Sequence, residues 1–207
     1  MITQSIECAD VGELAGAAEL LSHWWSRPIS AEVDSWIAWN APGKALAEAL
    51  GVTCLDQASM PTTVEDRRLC LDEYDRLFAG SGHVPCPPYE SFWRDDVPPY
   101  LRRSLMGPCT EQLRGLYQEL GLSVSKASGE LPDQIAVEFE ALAVALTSPH
   151  SILLAQKLLS DHLTRWLPKF CRAVAAAAGV PYYRNLAMST SAWLPVLTDC
   201  SSTLLID

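Results

Sequence analysis

The sequence predicts an all-α fold, a single helical bundle domain of about ten helices. Three observations predict it. Apolar residues recur at helical spacing in one stretch after another, alternating runs of β-branched residues are almost absent, and helix-starting and helix-stopping residues sit at the ends of the periodic stretches. With 207 residues, 49% of them apolar and 19% charged, the chain is long enough to bury a core and too apolar to be disordered.

Taken in order, Leu14, Ala18, Leu21 and Trp25 fall at i, i+4, i+7 and i+11, behind Asp10 and Glu13 in the spacing of a capping box. Thr62 and Glu65 repeat that spacing ahead of a helix on which Val64, Leu71, Tyr74 and Phe78 share a face, with Gly80 as its stop. Leu113, Leu116, Tyr117 and Leu120 form the next stripe, closed by Gly121. Asp133 is placed to N-cap a helix whose Ile135, Phe139, Leu142 and Leu146 repeat at helical spacing. Ser148 and Pro149 supply an N-cap and first-turn pair for Ile152, Ala155, Leu159, Leu163, Trp166 and Phe170. The alanine-rich run 172–179 has high helix propensity and ends at Gly179. Leu122 to Val124 and Leu204 to Ile206 are the weak strand candidates.

Two segments interrupt the helices. Residues 80–100 hold five prolines and two glycines, interleaved with Tyr89, Phe92, Trp93 and Tyr100. Proline fixes φ and removes donors, so a stiff irregular loop is expected, long for a bundle. The polar link 126–134 could separate lobes at 1–125 and 135–207 within a domain spanning 1–207, or let C-terminal helices exchange between protomers. Monomer and domain-swapped dimer both stay open.

Composition excludes several classes of function. A net charge of −10 argues against nucleic acid and anionic lipid, both of which need clustered Lys and Arg. The first residues show no basic and apolar secretory pattern, and no apolar run reaches the length of a membrane span, so a cytoplasmic protein is expected. Cys8, Cys54, Cys70, Cys86, Cys109, Cys171 and Cys200 form no C-x-x-C pair and read as reduced, buried thiols. His23, His83, His150 and His162 belong to no metal pattern, and neither a nucleophile elbow nor a phosphate loop is present. Glu138 and Glu140 lie two apart on a helix and diverge. No catalytic residue, metal site or stably bound cofactor is expected.

What remains is a recognition surface. The aromatic loop carries Glu90, Asp95 and Asp96, which could pair guanidinium groups while the rings hold an apolar peptide segment. The same rings could equally serve to cover the core.

Three motifs then carry a resemblance. YDRLFAG (74–80) followed by PPYESFW (87–93), ELPDQ (130–134), and HLTRWLPKF (162–170) with YYRNLA (182–187) are similar, in order and spacing, to the TorD/DmsD-type molybdoenzyme-maturation chaperones. The resemblance implies an all-α cytoplasmic chaperone without catalytic activity. Its partner would be the catalytic subunit of a DMSO reductase-family enzyme, bound through a twin-arginine signal peptide. That client carries a molybdenum bis-pterin cofactor, which is inserted before Tat export. By match to the family motifs, the signal-peptide site would comprise Tyr74, Leu77, Phe78 and Gly80, then Pro87, Pro88, Tyr89, Ser91 and Trp93, with Asp133; Glu90 joins them as a candidate acid. Gln134 stands where the family usually has His, which removes a titratable group but keeps an amide that donates and accepts. A general helical adaptor for a folded enzyme subunit, or a nucleotide-binding helical protein, are the alternatives.

Overall fold

The computed structural model describes residues 11–28, 44–45, 60–80, 82–101, 103, 105–124 and 129–203. Helix α1 is Val11–Trp25 and α2 is Val64–Tyr74, which runs on into a π-helical turn, Asp75–Ala79. A single turn, α3 (Glu90–Trp93), precedes α4 (Pro108–Glu119) and α5 (Ile135–Leu146). Helix α6 (Ile152–Lys157), a π segment (Leu158–Leu163) and α7 (Thr164–Ala177) form one continuous rod. The described chain closes with α8 (Pro181–Thr203).

The class is all-α, as expected. Among the described residues there are seven helical rods, fewer than about ten, because the π segment carries the helix from Ile152 to Ala177 without a break. The weak strand at Leu122–Val124 does not form. The Leu122 N–H instead donates to the Tyr117 carbonyl at 2.7 Å and closes α4 behind Gly121, whose φ of +73° suits glycine. Asp10, Cys8, Cys54 and the Leu204–Ile206 candidate lie outside the described residues.

The stripes read from the sequence turn inward on α1, α5 and the long rod, where Leu14, Leu21, Trp25, Ile135, Phe139, Leu142, Leu146, Leu163, Trp166 and Phe170 are all buried. Helix α2 differs. Its capping box is one residue later than expected, with the Thr63 hydroxyl accepting from the Asp66 N–H and the Asp66 carboxylate accepting from the Thr63 N–H. Val64 then sits in the first turn, 74% exposed, and Cys70, Tyr74, Leu77 and Phe78 form the buried face.

Helix α1 lies along α5, and α7 packs on α8. An aromatic cluster joins them. The Phe170 ring lies 5.0 Å from Trp25, 5.3 Å from Trp166, 5.8 Å from Trp93 and 6.1 Å from Phe78, in tilted or edge-on arrangements. Buried polar groups lock the register. Trp25 Nε1 donates to Thr190 Oγ1 at 2.9 Å, Ser22 Oγ to the Ala136 carbonyl at 2.8 Å, and the Tyr183 hydroxyl to the Cys70 carbonyl at 3.0 Å. The five described cysteines are buried and in no disulfide, and burial pushes the Cys70, Cys109 and Cys171 thiols up to about 12, and Cys86 to about 11, so none of these four is a thiolate at neutral pH.

Because Phe170 joins four aromatic neighbours from four different elements, Phe170→Ala should destabilise the fold by about 3–5 kcal/mol. Chemical denaturation checks this; a loss below about 1 kcal/mol would contradict the packing described.

Candidate functional site

Two of the three motifs meet at a backbone staple. Tyr89 is extended (φ −125°, ψ 131°), and Gln134 pairs with it as an isolated antiparallel bridge. The Glu90 N–H donates to the Asp133 carbonyl at 2.9 Å, and the Ile135 N–H donates to the Pro88 carbonyl at 3.0 Å. Pro88 cannot donate, so its carbonyl is the group that it offers, and the stiff proline pair presents it. The staple joins the Pro87–Ser91 loop to the start of α5 across more than forty residues of sequence.

Side chains finish the joint. Gln134, not Asp133, caps α5; its Oε1 accepts from the Ala136 N–H at 2.6 Å and the Val137 N–H at 3.2 Å. The expected Asp133 cap fails because that carboxylate is drawn across the joint, where Oδ2 accepts from the Ser91 N–H at 3.3 Å. Trp93 Nε1 donates to the Pro87 carbonyl at 2.7 Å and turns the loop back on itself.

The third motif enters through Glu90, which is fully buried. One carboxylate oxygen accepts from Arg94, and the other lies 2.8 Å from His162 Nδ1, which therefore carries the hydrogen. His162 stands on the π segment, and the neighbouring Asp161 carbonyl accepts from Arg94 Nη1 at 2.7 Å. Burial lowers the Arg94 pKa, but hydrogen bonds to Asp96 and Glu90, with the Glu90 charge, raise it above its ordinary value.

The remaining expected site residues divide. Tyr74, Leu77 and Phe78 are buried in the core, with Phe78 5.4 Å from Tyr183. Gly80 is exposed beyond the π turn, and a Cβ there would meet the Asp75 carbonyl at 3.1 Å. Pro88 and Ser91 are buried, while Pro87, Tyr89 and Trp93 are half-buried. The acids considered for pairing a guest guanidinium are engaged within the chain: Glu90 as above, Asp96 with Arg94, Asp95 with Lys169, and Asp133 with Ser91.

Beside the staple, between the C-terminal end of α1 and the outer face of α5, runs a groove of about 330 Å³. Leu122, Val124, Val137 and Val144 give it an apolar lining, Gln134 touches it, and Glu130 and Glu140 make it acidic. Arg27 also lines it but is committed to Asp75 through two hydrogen bonds of 3.0 and 2.9 Å. Burial, and then the Glu130 charge, raise the hydroxyl pKa values of Tyr74 and Tyr89. Sequence reasoning missed Glu130 and Glu140 as lining residues. The divergence of Glu138 and Glu140 was the available signal, since Glu138 is buried and Glu140 faces out. Among the described residues no three His, Cys, Asp or Glu side chains are placed to hold a metal ion.

The family model for the nitrate reductase delta subunit matches residues 38–172. The chain is 31% identical over 156 residues to the Tat proofreading chaperone DmsD of Salmonella typhi, covering 74% of this chain and 68% of that protein. It is 30% identical over 155 residues to the Salmonella typhimurium DmsD, with the same coverage. A crystal structure from Archaeoglobus fulgidus, described as a redox enzyme maturation protein, superposes with a TM-score of 0.59 at 26% identity, over 87% of this chain and 93% of that one.

The cap on α5 gives a direct test of the joint. Gln134→Ala should destabilise the fold by about 1–2 kcal/mol, since one buried and one part-buried N–H group lose their acceptor. Thermal unfolding reads the effect, and an unchanged Tm would contradict the assignment.

Proposed function

The chain belongs to the nitrate reductase delta subunit family, the TorD family, and from that premise we propose that it binds the twin-arginine signal peptide of a DMSO reductase-family molybdoenzyme subunit. It is a chaperone, not an enzyme. In this reading it acts in the cytoplasm, holds the catalytic subunit through that peptide, and assists cofactor insertion and assembly before Tat export. The molybdenum bis-pterin belongs to the client, and the chaperone retains none of it stably.

The observation that carries the reading is the groove. A twin-arginine peptide offers an apolar stretch and two guanidinium groups. Leu122, Val124, Val137 and Val144 complement the first, and Glu130 and Glu140 the second. The prolines and the staple hold one wall in place, which lowers the ordering cost of binding. The relatives named as Tat proofreading chaperones support the same partner class. Among the described residues no helix is long and apolar enough to cross a membrane.

Calorimetry with a twin-arginine peptide should give a Kd on the order of 1 μM or tighter. The double variant Glu130→Gln/Glu140→Gln should weaken it about three- to tenfold, with the fold intact. Asp95→Asn, whose acid is already held by Lys169, should leave it unchanged. Deleting the signal peptide from the client should abolish the complex. Survival of the complex would favour an adaptor for the folded subunit.

A further inference from the structure

Behind the staple three side-chain oxygens are buried without a hydrogen-bond partner: Ser91 Oγ, Asp133 Oδ1 and Glu138 Oε1. Glu90, Asp133 and Glu138 are all fully buried. The nearby polar groups Arg94 and His162 are committed elsewhere, His162 to Glu90 and Arg94 to Glu90, Asp96 and the Asp161 carbonyl. Glu138 has only a long contact of 3.5 Å from Trp166 Nε1 to its other oxygen. The Tyr117 hydroxyl, on α4, is committed to the Pro132 carbonyl at 2.7 Å. A buried carboxylate with so little compensation is strongly disfavoured, whereas a neutral carboxylic acid carries a donor that the partnerless carboxylate oxygen of Asp133 can accept.

Glu138 also has the right position. It lies one helical turn beyond Gln134, and its N–H donates to the Gln134 carbonyl at 3.0 Å. We propose that Glu138 is a positioning residue for the groove: it remains protonated inside the fold, donates its proton within the cluster of partnerless oxygens, and so holds the Asp133–Gln134 corner closed against the Pro88–Ser91 loop. Burial, and then repulsion from Glu90 and Asp133, push the Glu138 carboxyl well above the usual carboxylate range; the Trp166 N–H and Arg94 oppose the shift without cancelling it.

The sign of the pH dependence follows. The protonated acid fits the closed corner, so raising pH through the Glu138 ionisation loosens the staple and, because the groove is read as the peptide site, weakens peptide binding. Lowering the pH has no such effect through this group.

Carbon-13 NMR of the wild-type chain labelled in glutamate should show the Glu138 carboxyl protonated at neutral pH; an ionised Glu138 at that pH overturns the proposal. Amide exchange at Glu90 and Ile135 should accelerate in the wild type relative to Glu138→Gln as the pH rises, and a constant ratio overturns it. As the pH rises through the Glu138 ionisation that the NMR titration reads, peptide affinity should fall about fivefold or more in the wild type and less than about twofold in Glu138→Gln. Equal pH profiles in the two proteins would contradict the positioning role. If no peptide binds at any pH while exchange still separates the two proteins, the proton stands and the reading of the groove falls.

Discussion

The buried Glu90 carboxylate is the constraint on which the rest of this structure depends. A charge with no solvent access must be paired, and Glu90 is paired from two directions, by Arg94 just after α3 and by His162 on the π segment. Removing Arg94 would leave the buried carboxylate with only the His162 imidazole, a loss on the order of 3–5 kcal/mol. The pairing therefore anchors the proline-rich loop to the long rod. With Glu90 anchored, Tyr89 is held extended and its neighbours can bond to Asp133 and Ile135. The start of α5 follows from that joint, and the groove follows from where α5 starts.

The two π-helical segments serve this arrangement. In the long rod the wider turn brings His162 inward while the Asp161 carbonyl reaches Arg94. After α2 the same device buries Leu77 and Phe78 together, while Asp75 and Arg76 remain on the outside to bind Arg27 and Glu73. Glu73 in turn accepts the Gly179 N–H at 2.6 Å, so the α2 end also fixes the turn into α8. The first π segment falls inside the motif 74–80, and the second runs into the motif that begins at His162. The residues there that sequence similarity picks out act mainly by building the frame around the groove, and Tyr74, Leu77 and Phe78 do so from within the core.

Much of the fold was legible from periodicity. The stripes of α1, α5 and the long rod are one-dimensional patterns that burial enforces directly, and Leu14 to Trp25 or Ile135 to Leu146 needed no partner to be read. The motifs also brought the right segments together. What could not be read was the direction of individual polar groups. Asp133 looked like a helix cap because only its local sequence was visible; its actual partner is the Ser91 N–H, 42 residues away. Gln134 then takes the capping role, which an amide oxygen fills well. Glu90, Asp95 and Asp96 looked available for a guest because their internal partners, His162, Arg94 and Lys169, come from distant or irregular positions. The acids that line the groove, Glu130 and Glu140, belong to no aromatic loop and became visible only once α1 and α5 were placed side by side.

The charge of −10 acquires a narrower meaning in this light. The acids of the aromatic loop are engaged by the frame, and the acids that line the proposed peptide groove are Glu130, ahead of α5, and Glu140, on it. NMR chemical-shift mapping with a twin-arginine peptide tests that claim most directly. Perturbations are expected to centre on Glu130, Gln134, Val137, Glu140 and Val144. Perturbations confined instead to a separate cleft of about 500 Å³, lined by Arg94, Asp96, Lys157 and Arg165, would contradict it.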